Sequence, residues 1–103
     1  MNTFYLDNNN VKMCTHFKDR LIGMMFKKKK SNYIYCFPKC KSVHTFFMFK
    51  KIDIVMTDKN NNILYYFKGV KPWKVLLPKK NVYYIYEFDS NLIDIGNYNK
   101  IEL

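Results

Sequence analysis

The chain has no alanine, a single arginine, a single tryptophan, and only three each of glycine, proline and cysteine. The missing alanine argues against a helical bundle, because alanine is the strongest helix former. The near-absence of arginine bears on the charge. Seventeen lysines stand against eight acids, for a formal net charge of +10. Dedicated phosphate readers usually include arginine for its two-pronged fork. Two readings of the lysine excess therefore compete. One is compositional drift in an AT-rich genome, which also favours the twelve asparagines, nine tyrosines and nine phenylalanines. The other is a polyanion such as nucleic acid as partner. No apolar run approaches the roughly 20 residues needed to span a bilayer, so no membrane-spanning helix is expected. The first ten residues have neither the basic start nor the apolar core of a secretory leader. Three cysteines cannot all pair with one another, and the expectation is a cytoplasmic protein with reduced thiols.

What is present points to strands. Hydrophobic residues make up 49% of the 103 positions and aromatics 18%. That is enough for one core and one domain, residues 1–103. Aromatic and β-branched side chains favour a half-buried pleated surface. Strands are expected over residues 2–6, 11–14, 32–37, 43–49, 51–57, 63–67, 82–88 and 99–103, with residues 73–77 extended. Along 51–57, Ile52, Ile54 and Met56 share one face and Asp53, Val55 and Thr57 the other. The turn Asp58 to Asn62 makes the strands on either side the clearest hairpin. One helix is expected from Thr15 to Met25, capped by Thr15 and carrying Phe17, Leu21, Met24 and Met25 as a stripe. A short helical turn capped by Ser90 is expected within residues 89–96. The predicted class is α+β and β-rich: a curved, mainly antiparallel sheet or partial barrel of six to eight short strands, covered by the N-terminal helix.

The densest chemistry lies between Cys36 and Asp53. Cys36, Cys40, His44 and Met48 recur at every fourth residue, and thiolate, imidazole and thioether together suit a soft metal. On a strand that spacing puts neighbours about 13 Å apart, too far for one ion to hold more than two. Cys40 and His44 are thus the weak metal candidates, and no cofactor is expected. The same two residues, with Asp53 orienting the imidazole, would make a thiol–imidazole pair for nucleophilic chemistry. Set against this, Cys40 reads as a small buried hydrophobe and His44 as a hydrogen-bonded residue lining a pocket. Glu87 is the only acid in the 82–88 strand and shares a face with Tyr83 and Ile85. A carboxyl among such neighbours needs a partner, and Lys71, Lys74 or a backbone amide could serve. Trp73 either anchors a loop or offers its ring to a ligand. Tyr65, Tyr66, Phe67, Lys68, Lys71, Trp73 and Lys74 fit a single-strand nucleic-acid platform in residue type.

Several blocks together resemble a known family. Gly23-Met24-Met25-Phe26, after a helix bearing Arg20, looks like its Gly-Leu-Met-Phe/Arg signature. Cys40 to Met48 resembles its Cys-x-Ser-Ile/Val-His-Thr-x-x-Met block, and Lys51 to Val55 its Pro-Ile-Asp-Val-Val strand. Asp58 to Asn62, Lys71-Pro72-Trp73 and the Glu87 strand match in order and spacing. The chain is similar, over Val11 to Leu103, to domain-of-unknown-function family 192, also called uncharacterised protein family 0127. Lys51 stands where the family has proline, Asn91 where glycine is common, and Tyr98-Asn99 near the usual terminal Gly-Asp. The resemblance implies a compact β-rich α+β domain, no established reaction, and export for many relatives. The functional expectation is a non-catalytic binding or accessory module for a small molecule or protein, with His44, Thr45, Met48, Asp53, Trp73 and Glu87 around one pocket. The alternatives are a Cys/His-dependent or metal-assisted enzyme and a nucleic-acid binder.

Overall fold

Every side chain from Ile52 to Thr57 is buried, and so is every one from Ile85 to Asp89. Two strands that bury both of their faces must lie inside a sheet covered on each side, and the rest of the chain is arranged to provide that cover. The computed structural model describes residues 2–7, 10–15, 32–45 and 50–102. Its strands are β1 (Thr3–Tyr5), β2 (Val11–Met13), β3 (Ile34–Pro38), β4 (Val43–His44), β5 (Ile52–Thr57), β6 (Ile63–Val70), β7 (Val75–Leu76), β8 (Tyr84–Asp89) and β9 (Lys100–Glu102). A 3-10 turn, Ile95–Asn97, precedes β9.

The main sheet has the order β2-β3-β8-β5-β6. β8, late in sequence, runs antiparallel between β3 and β5. β5 and β6 form the expected hairpin. In its turn the Asp58 carboxylate accepts the amides of Asn60 and Asn62, both at 2.9 Å. Such local bonds are why Asp and Asn favour turns. β6 continues past the expected Phe67 to Val70, through Gly69 at φ 62.

Period-two alternation sorts the sheet's side chains into two apolar clusters. On the first face Tyr35, Phe37, Ile52, Ile54, Met56 and Ile85 pack together with Cys14 and Val82. On the second, Ile34, Cys36, Val55, Tyr86 and Phe88 meet Leu6, Ile93, Ile95 and Ile101. Ile52, Ile54 and Met56 are fully buried, and truncating any one of them to alanine costs about 2–5 kcal/mol. The cover of the second face comes from both ends of the chain. β1 pairs in parallel with β9, bringing Phe4 against Tyr98 at 5.0 Å between ring centroids.

Three features correct the expected class. No α-helix lies among the described residues, so a covering N-terminal helix is not part of the architecture seen. The stretch expected to form it lies, from residue 16 onward, outside the described residues. Pairing is mixed: β1–β9 and β2–β3 are parallel. Short connections suggest antiparallel neighbours, but the strands at the chain ends pair with partners far from them in sequence or across a long intervening segment. Finally, the strands among the described residues divide into one five-stranded and two two-stranded sheets and do not close into a barrel. The helical turn also sits later than expected. It has Asp94 rather than Ser90 at its N-terminal boundary, and no side chain caps it.

Candidate functional site

Asp53 lies on the second face of β5, opposite Phe88. Its carboxylate oxygens accept two backbone amides, from Gly69 at 2.7 Å and Asn91 at 3.2 Å. Both donors are in the left-handed region, at φ 62 and φ 67. Asp53 therefore fastens the end of β6 and the turn after β8 to β5. Charge-assisted bonds of this kind are among the stronger ones in a fold. Tyr86 on the same face works similarly: its hydroxyl donates to Asn61 Oδ1 at 2.6 Å, and Asn61 sits at φ 63.

β4 and β7 form a small two-stranded arm, with His44 opposite Val75. Thr45 follows at 1% exposure. Its hydroxyl donates to the Lys71 carbonyl and accepts the Lys74 amide, each at 2.7 Å. Its carbonyl accepts the Trp73 amide at 3.0 Å. One threonine thus holds the whole Lys71-Pro72-Trp73-Lys74 turn, including Trp73 at φ 65. Left-handed backbone is costly for a bulky residue and persists only where the surroundings impose it. The arm rests on the main sheet through Leu76 and Cys40, which pack against the first-face cluster.

Glu87 also belongs to the first face, directly opposite Tyr35 on β3 and Ile54 on β5. Desolvation by burial pushes its acid up from 4.5 to about 8. Such an acid is neutral near pH 7 and offers one hydrogen-bond donor with remaining acceptor capacity. Two residues along the same face, Asp89 pairs with Lys50 at 2.6 Å, with both side chains largely buried. Burial first, then Cys14 and Asp89, raise the phenol of Tyr35 nearby. The first face therefore carries a neutral acid, a phenol and an ion pair against an aliphatic wall. The Glu87-x-Asp89 spacing could have signalled this grouping, but the expected strand ended at Phe88, whereas β8 runs on to Asp89. Lys50 as a partner had no such signal.

The expected site residues thus divide. His44, Thr45 and Trp73 come together on the arm, and the arm rests on the face that carries Glu87. Asp53 points to the opposite face and is tied to backbone. Met48 lies outside the described residues. The four-residue ladder is broken by pleat: Cys36 belongs to the second-face cluster and Cys40 packs on the first. Burial pushes the Cys36 thiol up to about 12, and the Cys40 thiol donates to the Ser42 carbonyl at 3.2 Å. Among the described residues no three His, Cys, Asp or Glu side chains gather as a metal site. An open hollow of about 460 Å³ lies elsewhere, lined by Asn2, Thr3, Tyr5, Asn97 and Tyr98. Its Asn2 amide group is already bonded to the Asn97 carbonyl. No described helix is long and apolar enough to cross a membrane.

A family model described as "Uncharacterized ACR", domain-of-unknown-function family 192, matches residues 4–98. The UPF0127 protein of Pyrococcus horikoshii is 32% identical over 81 residues, covering 75% of this chain and 70% of its own length. That of Pyrococcus furiosus is 30% identical over 88 residues, covering 82% and 75%. Among solved structures, a protein of unknown function from Novosphingobium aromaticivorans superposes with a TM-score of 0.69 at 12% identity, over 80% of this chain and 64% of that one. A putative transcription regulator from Sinorhizobium meliloti superposes with a TM-score of 0.72 at 10% identity, over 87% and 75%. At those identities the likeness is one of fold.

Proposed function

The chain belongs to domain-of-unknown-function family 192, and from that premise we propose that it is a small non-catalytic binding module whose recognition group is Glu87. The observation that carries this reading is a carboxyl in the middle of the central strand, desolvated and neutral near pH 7. Burying a polar group without a hydrogen-bond partner is costly. A ligand carbonyl, amide or hydroxyl reaching the first face would supply that partner. The Lys50–Asp89 pair on the same face adds a fixed charge pair, and Tyr35 and Ile54 flank the carboxyl from the neighbouring strands. His44 and Trp73 border the site from the arm. Thr45 and Asp53 hold the backbone that positions it.

The reading is tested with a small-molecule panel followed by thermal shift, on wild type, Glu87→Gln and Glu87→Leu. Glutamine preserves a neutral donor and acceptor, so near pH 7 it keeps the ligand-induced shift, whereas leucine loses it. Raising the pH above about 8 weakens binding by wild type, whose acid then ionises, and leaves the glutamine variant unchanged. A saturable shift that survives in Glu87→Leu, or no saturable shift with any compound, refutes the assignment.

A further inference from the structure

We propose that the segment from Lys71 to Lys80 is a peripheral docking arm for an anionic membrane surface. Trp73, Val75 and Leu77 are exposed by 60%, 55% and 69%, the most open apolar positions of this part of the molecule. Between Val75 and Leu77, Leu76 packs down onto the first-face cluster. Alternation then turns its two neighbours away from the core. The Trp73 amide is bonded to the Thr45 carbonyl, and the residue as a whole is 60% exposed. The fold thus builds a braced turn and a short strand that present apolar side chains outward.

Charge supplies the second, independent observation. Residues 71–80 contain Lys71, Lys74, Lys79 and Lys80 and no acid. Lys79 extends the patch by lying over the Tyr65 ring at 5.4 Å. Elsewhere the fold removes negative charge from the surface, because Asp53 and Glu87 are buried, while buried Asp89 takes Lys50 with it. The exterior is therefore more basic than the composition alone. Lysines interleaved with an indole and aliphatic groups are the chemistry of interfacial binding: cations meet anionic headgroups while apolar side chains enter the acyl boundary. Each lysine near such a surface raises affinity about fivefold. Single-stranded nucleic acid would use the lysines and Trp73, but bases stack on aromatic rings, and Val75 and Leu77, the aliphatic part of the patch, would remain in water. The lipid surface accounts for all of it. The patch shares Trp73 with the border of the Glu87 site, whereas Leu77, Lys79 and Lys80 belong to the patch alone.

Trp73 is the chain's one tryptophan, so its emission reports directly on the arm. Full-length protein is titrated with vesicles of phosphatidylcholine alone and with vesicles containing about one-third phosphatidylserine, with sedimentation in parallel. The expected result is a blue shift and co-sedimentation with the anionic vesicles alone, both reversed by high salt. Leu77→Glu, and separately Lys79→Glu with Lys80→Glu, should each lower partitioning more than tenfold while leaving the thermal melt unchanged. Lys100→Glu, outside the arm, should lower it about fivefold or less. Absence of binding to anionic vesicles overturns the proposal, as does binding that Leu77→Glu leaves intact. Saturable binding to a single-stranded oligonucleotide with no vesicle binding overturns it in favour of nucleic acid.

Discussion

Glu87→Gln distinguishes a buried neutral acid from an ordinary carboxylate by the way stability depends on pH. Burial lifts the folded acid from 4.5 to about 8. Below 4.5 both folded and unfolded chains hold the proton, and stability is at its fullest. Between 4.5 and about 8 the unfolded chain releases the proton while the folded chain keeps it, so the wild type loses stability as pH rises. Above about 8 both forms are ionised and the loss is complete. At about 1.36 kcal/mol per pH unit, the whole window is worth roughly 5 kcal/mol, and near pH 7 roughly 3 kcal/mol. Glutamine cannot ionise, so its stability lacks this slope. Urea melts of both proteins at about pH 5, about pH 7 and about pH 9 isolate the effect, since every other titrating group cancels in the difference. The advantage of Glu87→Gln over wild type should grow by roughly 4 kcal/mol from the lowest pH to the highest. A constant offset reports only how well the amide packs. A difference that is flat with pH, or that grows towards acid, refutes the picture of a desolvated acid.

The backbone ties give further tests. Asp53→Asn leaves an acceptor for one of the Gly69 and Asn91 amides and turns an NH₂ group on the other, so it should cost about 2–3 kcal/mol in urea melts; no change would show that the two bonds are not holding the turns. Thr45→Val removes the bridge between the Lys71 carbonyl and the Lys74 amide and should cost about 2 kcal/mol, with a shift in Trp73 emission that a purely distant effect would not produce. Gly69→Ala meets no atom closer than Ser90 Oγ at 3.9 Å, so its expected cost of about 1 kcal/mol comes from left-handed backbone alone, and an unchanged melt would contradict the φ of 62. Alkylation of the native protein followed by mass spectrometry should label half-buried Cys40 well before fully buried Cys36, whose thiol is pushed up to about 12; the reverse order would refute the burial of Cys36 in the second-face cluster.

Some of this was legible from residues alone. Alternation along 51–57 assigned Ile52, Ile54 and Met56 to one face and Asp53, Val55 and Thr57 to the other, and the two core clusters follow that division. The Asp58 turn announced its hairpin because its bonds are local. The family was recognisable from short blocks in order, and its model matches residues 4–98. The site was harder. Asp53 belonged to a recognisable block and looked like a pocket residue, yet its partners are the amides of Gly69 and Asn91, sixteen and thirty-eight positions away. No local pattern contains that pairing. Lys71 and Lys74 looked like partners for Glu87, but both stand exposed on the arm, and it is Lys50 that answers an acid on that face, Asp89.

Sequence by itself determined the family, the β-rich content, the two-faced character of β5 and the excess of lysine. Each of these depends on composition, alternation or spacing within a few residues. Tertiary structure decided the rest. Inserting β8 between β3 and β5 set Glu87 and Asp53 on opposite faces, because a pleat reverses side chains at every step and cross-strand partners share a face. Pairing β1 with β9 and β2 with β3 in parallel made the sheets mixed, a matter of which strand ends meet rather than of any strand's own residues. Burial, which only the assembled sheet creates, turned an ordinary glutamate into an acid that keeps its proton near pH 7.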